Sequence, residues 1–101
     1  MRPLTIDMSD AERRPYFLWD EDVSVGELRA ILRDAPEEAA TRLRLLGKML
    51  REARDLDVWA FVTPHAVERA LPALGRRLGR RRPFWEYLLG GWRADGLLRP
   101  E

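Results

Sequence analysis

The sequence predicts an all-α fold: a compact bundle of four to five helices with an extended N-terminal arm. Three observations point there. Apolar residues recur at helical spacing through most of residues 24–93. Helix start signals stand before two of these runs, at Ser24 and at Thr63. No two segments read convincingly enough as strands to pair with one another. The chain has 101 residues, 46% of them hydrophobic, which suits one domain with a core of its own. A chain of this length buries only about 60–65% of its unfolded surface, so a partner or a second copy would add appreciably to its stability.

Residues 1–15 are polar and mixed in charge, and Arg13-Arg14-Pro15 closes them. They read as a flexible N-terminal arm ahead of a single helical domain over residues 16–101. Tyr16-Phe17-Leu18-Trp19 follows, a run of large apolar side chains that avoids solvent. It is expected to lie extended across the helices and pin the arm, with Asp20-Glu21-Asp22 as a polar edge. Ser24 and Glu27 have the spacing of a capping box, flanked by Val23 and Leu28 at the staple positions. Val25, Leu28, Ile31 and Leu32 make one apolar face. This helix ends near Asp34, because Ala35 precedes Pro36 and is steered from helical angles.

The second helix is expected over residues 36–55, with Pro36 in its first turn. Glu37 and Glu38 suit its positive end, and Arg51 and Arg54 its negative end. Ala39, Leu43, Leu46, Leu50 and Ala53 fall at steps of 4, 3, 4 and 3, and Leu45, Met49 and Leu56 widen the stripe. A stripe this broad belongs to a central helix. Residues 57–62 fit a short helix capped by Asp57 or a short strand, and with no second strand to pair with, a helix or tight turn is expected. Thr63 and Pro64 open a further helix carrying Val67, Leu71, Leu74 and Leu78, which Pro72 should kink or split and Gly79 should end. Pro83 opens the last helix, whose apolar face is Trp85, Leu88, Leu89 and Trp92. Gly90-Gly91 suggests a close backbone approach or a bend, and Gly96 a C-terminal cap with Leu97 and Leu98 folding back.

The chain offers little for catalysis. It has no cysteine, which excludes disulfides, thiolate chemistry and cysteine–zinc sites. The sole histidine, His65, stands beside a proline in a first helical turn. Asp20, Glu21 and Asp22 lack the spaced ligands and the glycine of a calcium loop. Ser9 and Ser24 are the two serines, and neither sits in a nucleophile elbow. Leu89-Gly90-Gly91-Trp92 lacks the Lys and Ser/Thr of a phosphate loop. A non-enzymatic protein with no cofactor and no metal is therefore expected. With no secretion-type apolar run at the N-terminus and no window long enough to span a bilayer, a cytoplasmic location is expected too.

Charge carries more information. The formal net charge is +1, but residues 1–57 hold 13 acidic and 10 basic side chains, while residues 58–101 hold 4 and 8. There are 17 arginines, one lysine (Lys48), and no Asn or Gln, a bias that fits a GC-rich genome or, secondarily, thermal adaptation. The basic excess is concentrated in Arg76, Arg77, Arg80, Arg81 and Arg82, just before Phe84 and Trp85. Three uses compete for it: a surface neutralised by the chain's own acidic half, a docking site for an acidic protein, or contact with a nucleic-acid backbone. Arg76, Arg77, Arg80, Arg81, Arg82 and Trp85 are the candidate contact residues. Leu71 to Leu89 can also be drawn as helix-turn-helix. Pro72, the lack of base-reading Asn or Gln and the small net charge weigh against that. Of four tryptophans, core packing should occupy most, with an exposed one available as an interface anchor.

Four stretches carry a resemblance: Phe17-Leu18-Trp19-Asp20, Leu45-Leu46-Gly47-Lys48-Met49-Leu50-Arg51-Glu52-Ala53-Arg54-Asp55, Val58-Trp59-Ala60-Phe61-Val62-Thr63-Pro64 and Arg80-Arg81-Arg82-Pro83-Phe84-Trp85. Across about residues 16–93 the chain resembles a group of small helical bacterial proteins encoded beside nucleotidyltransferase toxins of the abortive-infection (AbiEii-like) class. These are packing and turn motifs, not catalytic ones. The resemblance implies a helical domain and, by gene pairing, an antitoxin or accessory role with the nucleotidyltransferase as protein partner. Nucleic acid and a second copy of the chain are the other candidate partners.

Overall fold

The capping box at Ser24 forms in the computed structural model, which describes residues 1–96. The Glu27 N–H donates to Ser24 Oγ at 3.1 Å, and the Ser24 N–H donates to Glu27 Oε1 at 3.3 Å. Helix α1 runs Val25–Asp34 and ends where Ala35 turns extended. Its first free N–H groups, which no helical carbonyl can reach, find partners upstream. Val25 donates to the Arg13 carbonyl at 2.8 Å and Gly26 to the Ala11 carbonyl at 3.1 Å. The segment expected as an arm therefore lies packed over the start of α1. Its two short strands, β1 (Leu4–Thr5) and β2 (Arg14–Pro15), pair in parallel with Leu4 opposite Arg14, and Met8 and Arg14 are buried.

The aromatic run is not extended. Tyr16–Leu18 forms one 3₁₀ turn. In an extended strand Phe17 and Leu18 would face opposite ways; the turn buries both and leaves Trp19 outside. Helix α2 covers Ala40–Glu52, starting later than the sequence suggested. Pro36–Ala39 closes instead as a turn, with the Ala39 N–H on the Pro36 carbonyl at 3.0 Å. Glu37 and Glu38 suit a helix dipole, but Ala39 at the cap position has no side-chain acceptor. From there α2 buries Leu45, Leu46, Met49 and Leu50 against α1, α4, the one-turn helix α3 (Asp55–Val58) and the 3₁₀ segments. Leu56 lies beyond the end of α2 and is exposed, so it does not widen the stripe.

Helix α4 spans Pro64–Leu74, with Thr63 Oγ1 accepting the Ala66 N–H at 3.2 Å. Pro72 sits inside α4 without breaking it. The helix continues past it to Leu74, and the break comes at Gly75, whose φ is +40°. A 3₁₀ segment, Gly75–Arg81, leads to α5 (Arg82–Ala94). A Cβ at Gly90 or Gly91 would meet nothing within 4 Å, so neither marks a close approach. Gly96 has φ +78°, as a helix-ending glycine requires, and the expected fold-back of Leu97 and Leu98 lies outside the described residues. The fold is mostly helical and compact, its 13.5 Å radius of gyration close to the ~13 Å of a 100-residue domain. Among the described residues no helix is long and apolar enough to cross a membrane.

Candidate functional site

Two glycines shape the arginine-rich segment. Gly75 (φ +40°, ψ −113°) and Gly79 (φ +53°, ψ −128°) hold conformations that a side chain would strain. Between these bends Leu78 turns into the core, and Arg76, Arg77 and Arg80 are left exposed. The segment packs on α2 near Gly47, where an added Cβ would make ordinary contacts, 3.4 Å from the Leu74 side chain and 3.6 Å from that of Arg77. Arg77 thereby joins Thr41, Arg44, Lys48 and Arg51 around an open cleft of about 530 Å³. These four α2 residues step by 3, 4 and 3 along one edge of the helix, exposed at Thr41, Arg44 and Arg51 and buried at Lys48. The Arg51 Nη1–H donates to the Arg77 carbonyl at 2.7 Å and ties the two walls together.

The acidic turn occupies one end of this row. Lys48 pairs with Asp20, and its Nζ is 3.8 Å from Glu21 Oε2. Arg44 Nη1 donates to Glu21 Oε1 at 2.5 Å. The Lys48 hydrogen bond holds the Asp20 carboxyl below its ordinary value. Lys48 is largely buried, and its ammonium stands 5.2 Å from the centre of the Trp19 ring. Arg14 organises the turn from beneath. Its Nη1 lies 3.2, 2.9 and 3.4 Å from the carbonyls of Leu18, Trp19 and Glu21, and its Nε donates to the Arg2 carbonyl at 2.5 Å.

The six candidate contact residues separate into four groups. Arg76, Arg77 and Arg80 are exposed and form no ion pair with another described residue. Arg82 is paired with Glu86 at 2.6 Å. Arg81 stacks on aromatic rings, 4.4 Å from Phe84 and 5.7 Å from Trp85, with Nε and Nη2 buried and unbonded. Trp85 is fully buried and cannot be a contact residue. Its helical spacing puts it on the core face of α5, where its indole N–H donates to the Leu50 carbonyl at 2.8 Å. Trp59 and Trp92 close the same cluster, with Trp59 5.7 Å from Trp85 and 5.5 Å from Trp92. The exposed tryptophan is Trp19, at 60%.

The chain's own carboxylates are largely committed elsewhere. Asp22 and Glu27 meet Arg2, Glu37 meets Arg69, Asp57 meets Arg54 and Glu68 meets Arg93. Self-neutralisation is therefore real, but it reaches Arg2, Arg44, Lys48, Arg54, Arg69, Arg82 and Arg93 rather than Arg76, Arg77 and Arg80. Sequence reading found Arg77 and missed its α2 neighbours; the signal was the 3-4-3 spacing of Thr41, Arg44, Lys48 and Arg51. Among the described residues no three His, Asp or Glu side chains converge as a metal site would.

Fold and surface define the class: a small, mostly helical domain with a basic cleft walled by α2 and the Gly75–Arg81 segment. No protein-family model, curated protein or solved structure matches the chain.

Proposed function

We propose that this chain is a non-enzymatic binding domain, a bundle of four to five helices around α2, that docks on an acidic face of a protein partner. One observation carries the reading: Arg76, Arg77 and Arg80 are exposed and have no carboxylate partner among the described residues, although most of the other cations found one. Guanidinium groups recognise carboxylates in a planar, two-pronged way, and charge aimed at a partner speeds encounter. The resemblance supplies the proposed partner, a nucleotidyltransferase-type toxin in the same cytoplasm, with this chain as its antitoxin or accessory protein.

A small DNA-binding regulator would use the same arginines. The second helix of its helix-turn-helix would be α5, whose exposed residues include Glu86, Tyr87, Gly90 and Gly91. Its exposed arginines, Arg82 and Arg93, are already paired with Glu86 and Glu68, and what remains is a glycine-rich face that is a poor reader of base edges. The test is capture of the tagged protein from its native cells, with and without nuclease, beside the R76A/R77A/R80A variant. A stoichiometric protein that survives nuclease and is lost with the variant is the expected result. Companions that vanish with nuclease, with affinity falling log-linearly with salt, would overturn this reading in favour of nucleic acid.

A further inference from the structure

We propose that the cleft between α2 and the Gly75–Arg81 segment receives a short acidic peptide segment of the partner, its carboxylates on Arg51 and Arg77 and an apolar residue against Trp19. The proposal rests on the docking reading and assigns its seat.

The chain itself shows which chemistry the row accepts. Asp20 and Glu21 already lie on Lys48 and Arg44, so carboxylates satisfy this edge of α2 without disturbing the helix. The far end has no such cover. Arg77 has no carboxylate among the described residues, and Arg51 meets only the neighbouring Glu52, at 3.3 Å. Each guanidinium offers five N–H donors, and Arg51 spends one on the Arg77 carbonyl. From Arg44 to Arg51 the row is seven residues of helix, about 10 Å, the span of about three residues of extended chain.

The uneven charge of the cleft selects the occupant. A nucleic-acid strand carries a negative charge at every nucleotide, so a strand laid along the row would bring phosphates against Asp20 and Glu21. A peptide can concentrate its carboxylates at one end and be neutral at the other. Trp19, 60% exposed at the acidic end, suits the neutral end. Trp19 flanks the cleft rather than lining it, with its ring beside Lys48, and exposed tryptophans are frequent anchors in protein interfaces.

The experiment is calorimetric titration of the intact protein with a synthetic peptide of one leucine, two glycines and three glutamates. Six-nucleotide single-stranded thymidylate and inorganic phosphate serve as competitors. The peptide should bind, and neither competitor should displace it at equal concentration. R77A and R51A should each weaken binding about three- to fivefold, the upper part of the range for one solvent-facing charge pair. R33A, outside the cleft, should leave it within twofold. Because R51A also removes a bond between the walls, T41E is the second variant. It places a carboxylate in the cleft at the first turn of α2, where the helix dipole favours it, and should weaken the peptide without lowering the melting temperature. Three results overturn the proposal: no peptide binding, displacement by the oligonucleotide or phosphate, or a peptide lost in R76A and R80A but kept in R51A and T41E. The last would leave the docking surface standing and move its seat, whereas loss of partner capture in cells strikes the docking reading itself.

Discussion

Trp85→Phe separates a core role from a contact role for the residue on which sequence and structure part most clearly. Helix α2 ends at Glu52, and the carbonyls of its last turn have no helical donors. The Leu50 carbonyl would ordinarily take the Arg54 N–H, but that group donates to the Tyr16 hydroxyl at 2.8 Å. The Trp85 indole N–H fills the place at 2.8 Å. Phenylalanine keeps much of the apolar contact and removes the donor. A buried acceptor left unpaired costs about 1–3 kcal/mol. The weakened edge-on contact with Trp59 adds about 0.5–1.5 kcal/mol. The sum, roughly 2–4 kcal/mol, is a large fraction of the ~5–15 kcal/mol that holds a domain together. At about 4–8 °C per kcal/mol it lowers the melting temperature by roughly 10–30 °C. Thermal and urea unfolding followed by circular dichroism measure this, with partner binding assayed where the variant is folded. A melting temperature within about 2 °C of the parent, combined with weakened binding, would refute the reasoning and return Trp85 to the surface.

Tyr16→Phe deletes a donor to Asp57 Oδ2 at 2.6 Å and the acceptor of the Arg54 N–H; a loss of about 2 kcal/mol is expected in urea unfolding. Burial, and then the Asp57 hydrogen bond, raise the Tyr16 phenol above its ordinary 10.0. The fold favours the protonated form, so its contribution is full below pH 10 and disappears as pH climbs through the raised value, which phenolate absorbance together with alkaline unfolding would register. At the acid end Arg2 lowers the carboxyls of Asp22 and Glu27 from 3.8 and 4.5. Their contribution is present above those values and is lost as pH falls through the lowered ones; R2A should shift acid unfolding to higher pH, and an unmoved midpoint would dismiss the pairing. Gly79→Ala forces a side chain into φ +53°, ψ −128° and should cost about 1–3 kcal/mol, whereas an unchanged melting temperature would show that the bend relaxes freely.

What was legible in the sequence was local. Ser24 with Glu27 and Thr63 with Pro64 specify helix starts within four residues, and both formed. The start of α2 was misread because Glu37 and Glu38 satisfy a dipole argument without providing a cap, and Ala39 provides none either. Pro72 was overweighted: its missing N–H and its ring act on the turn before it, yet α4 runs through it to Leu74 and ends at the Gly75 bend instead. For Trp85, apolar spacing and basic neighbours gave opposite answers, and burial followed the spacing. Half of the cleft was readable as a cationic edge of α2. Its other wall was not, since the bond from Arg51 to Arg77 spans 26 residues and depends on how the Gly75–Arg81 segment packs back on α2.

The absence of Asn and Gln explains why counting arginines misjudges this surface. Loop carbonyls that face inward still need donors, and in a chain without side-chain amides the guanidinium provides them. Arg14 serves the carbonyls of Arg2, Leu18, Trp19 and Glu21. Arg29 serves Met8, Arg42 serves Leu32 and Arg51 serves Arg77. Arg42 is buried with its bond made to a carbonyl at the end of α1, so its charge contributes to α1–α2 packing rather than to any outward field. A guanidinium suits this work because its charge is widely spread and weakly hydrated, and its fork reaches several oxygens at once. The consequence bears on binding. Arginines used as backbone tethers and those paired with carboxylates leave a much smaller set facing outward unpaired. Among the described residues that set is Arg76, Arg77 and Arg80, held between and beside two glycine bends on the 3₁₀ segment, with Arg77 lining the cleft. A near-neutral protein can therefore present a locally basic face, because its other cations are consumed in holding the fold that displays these three.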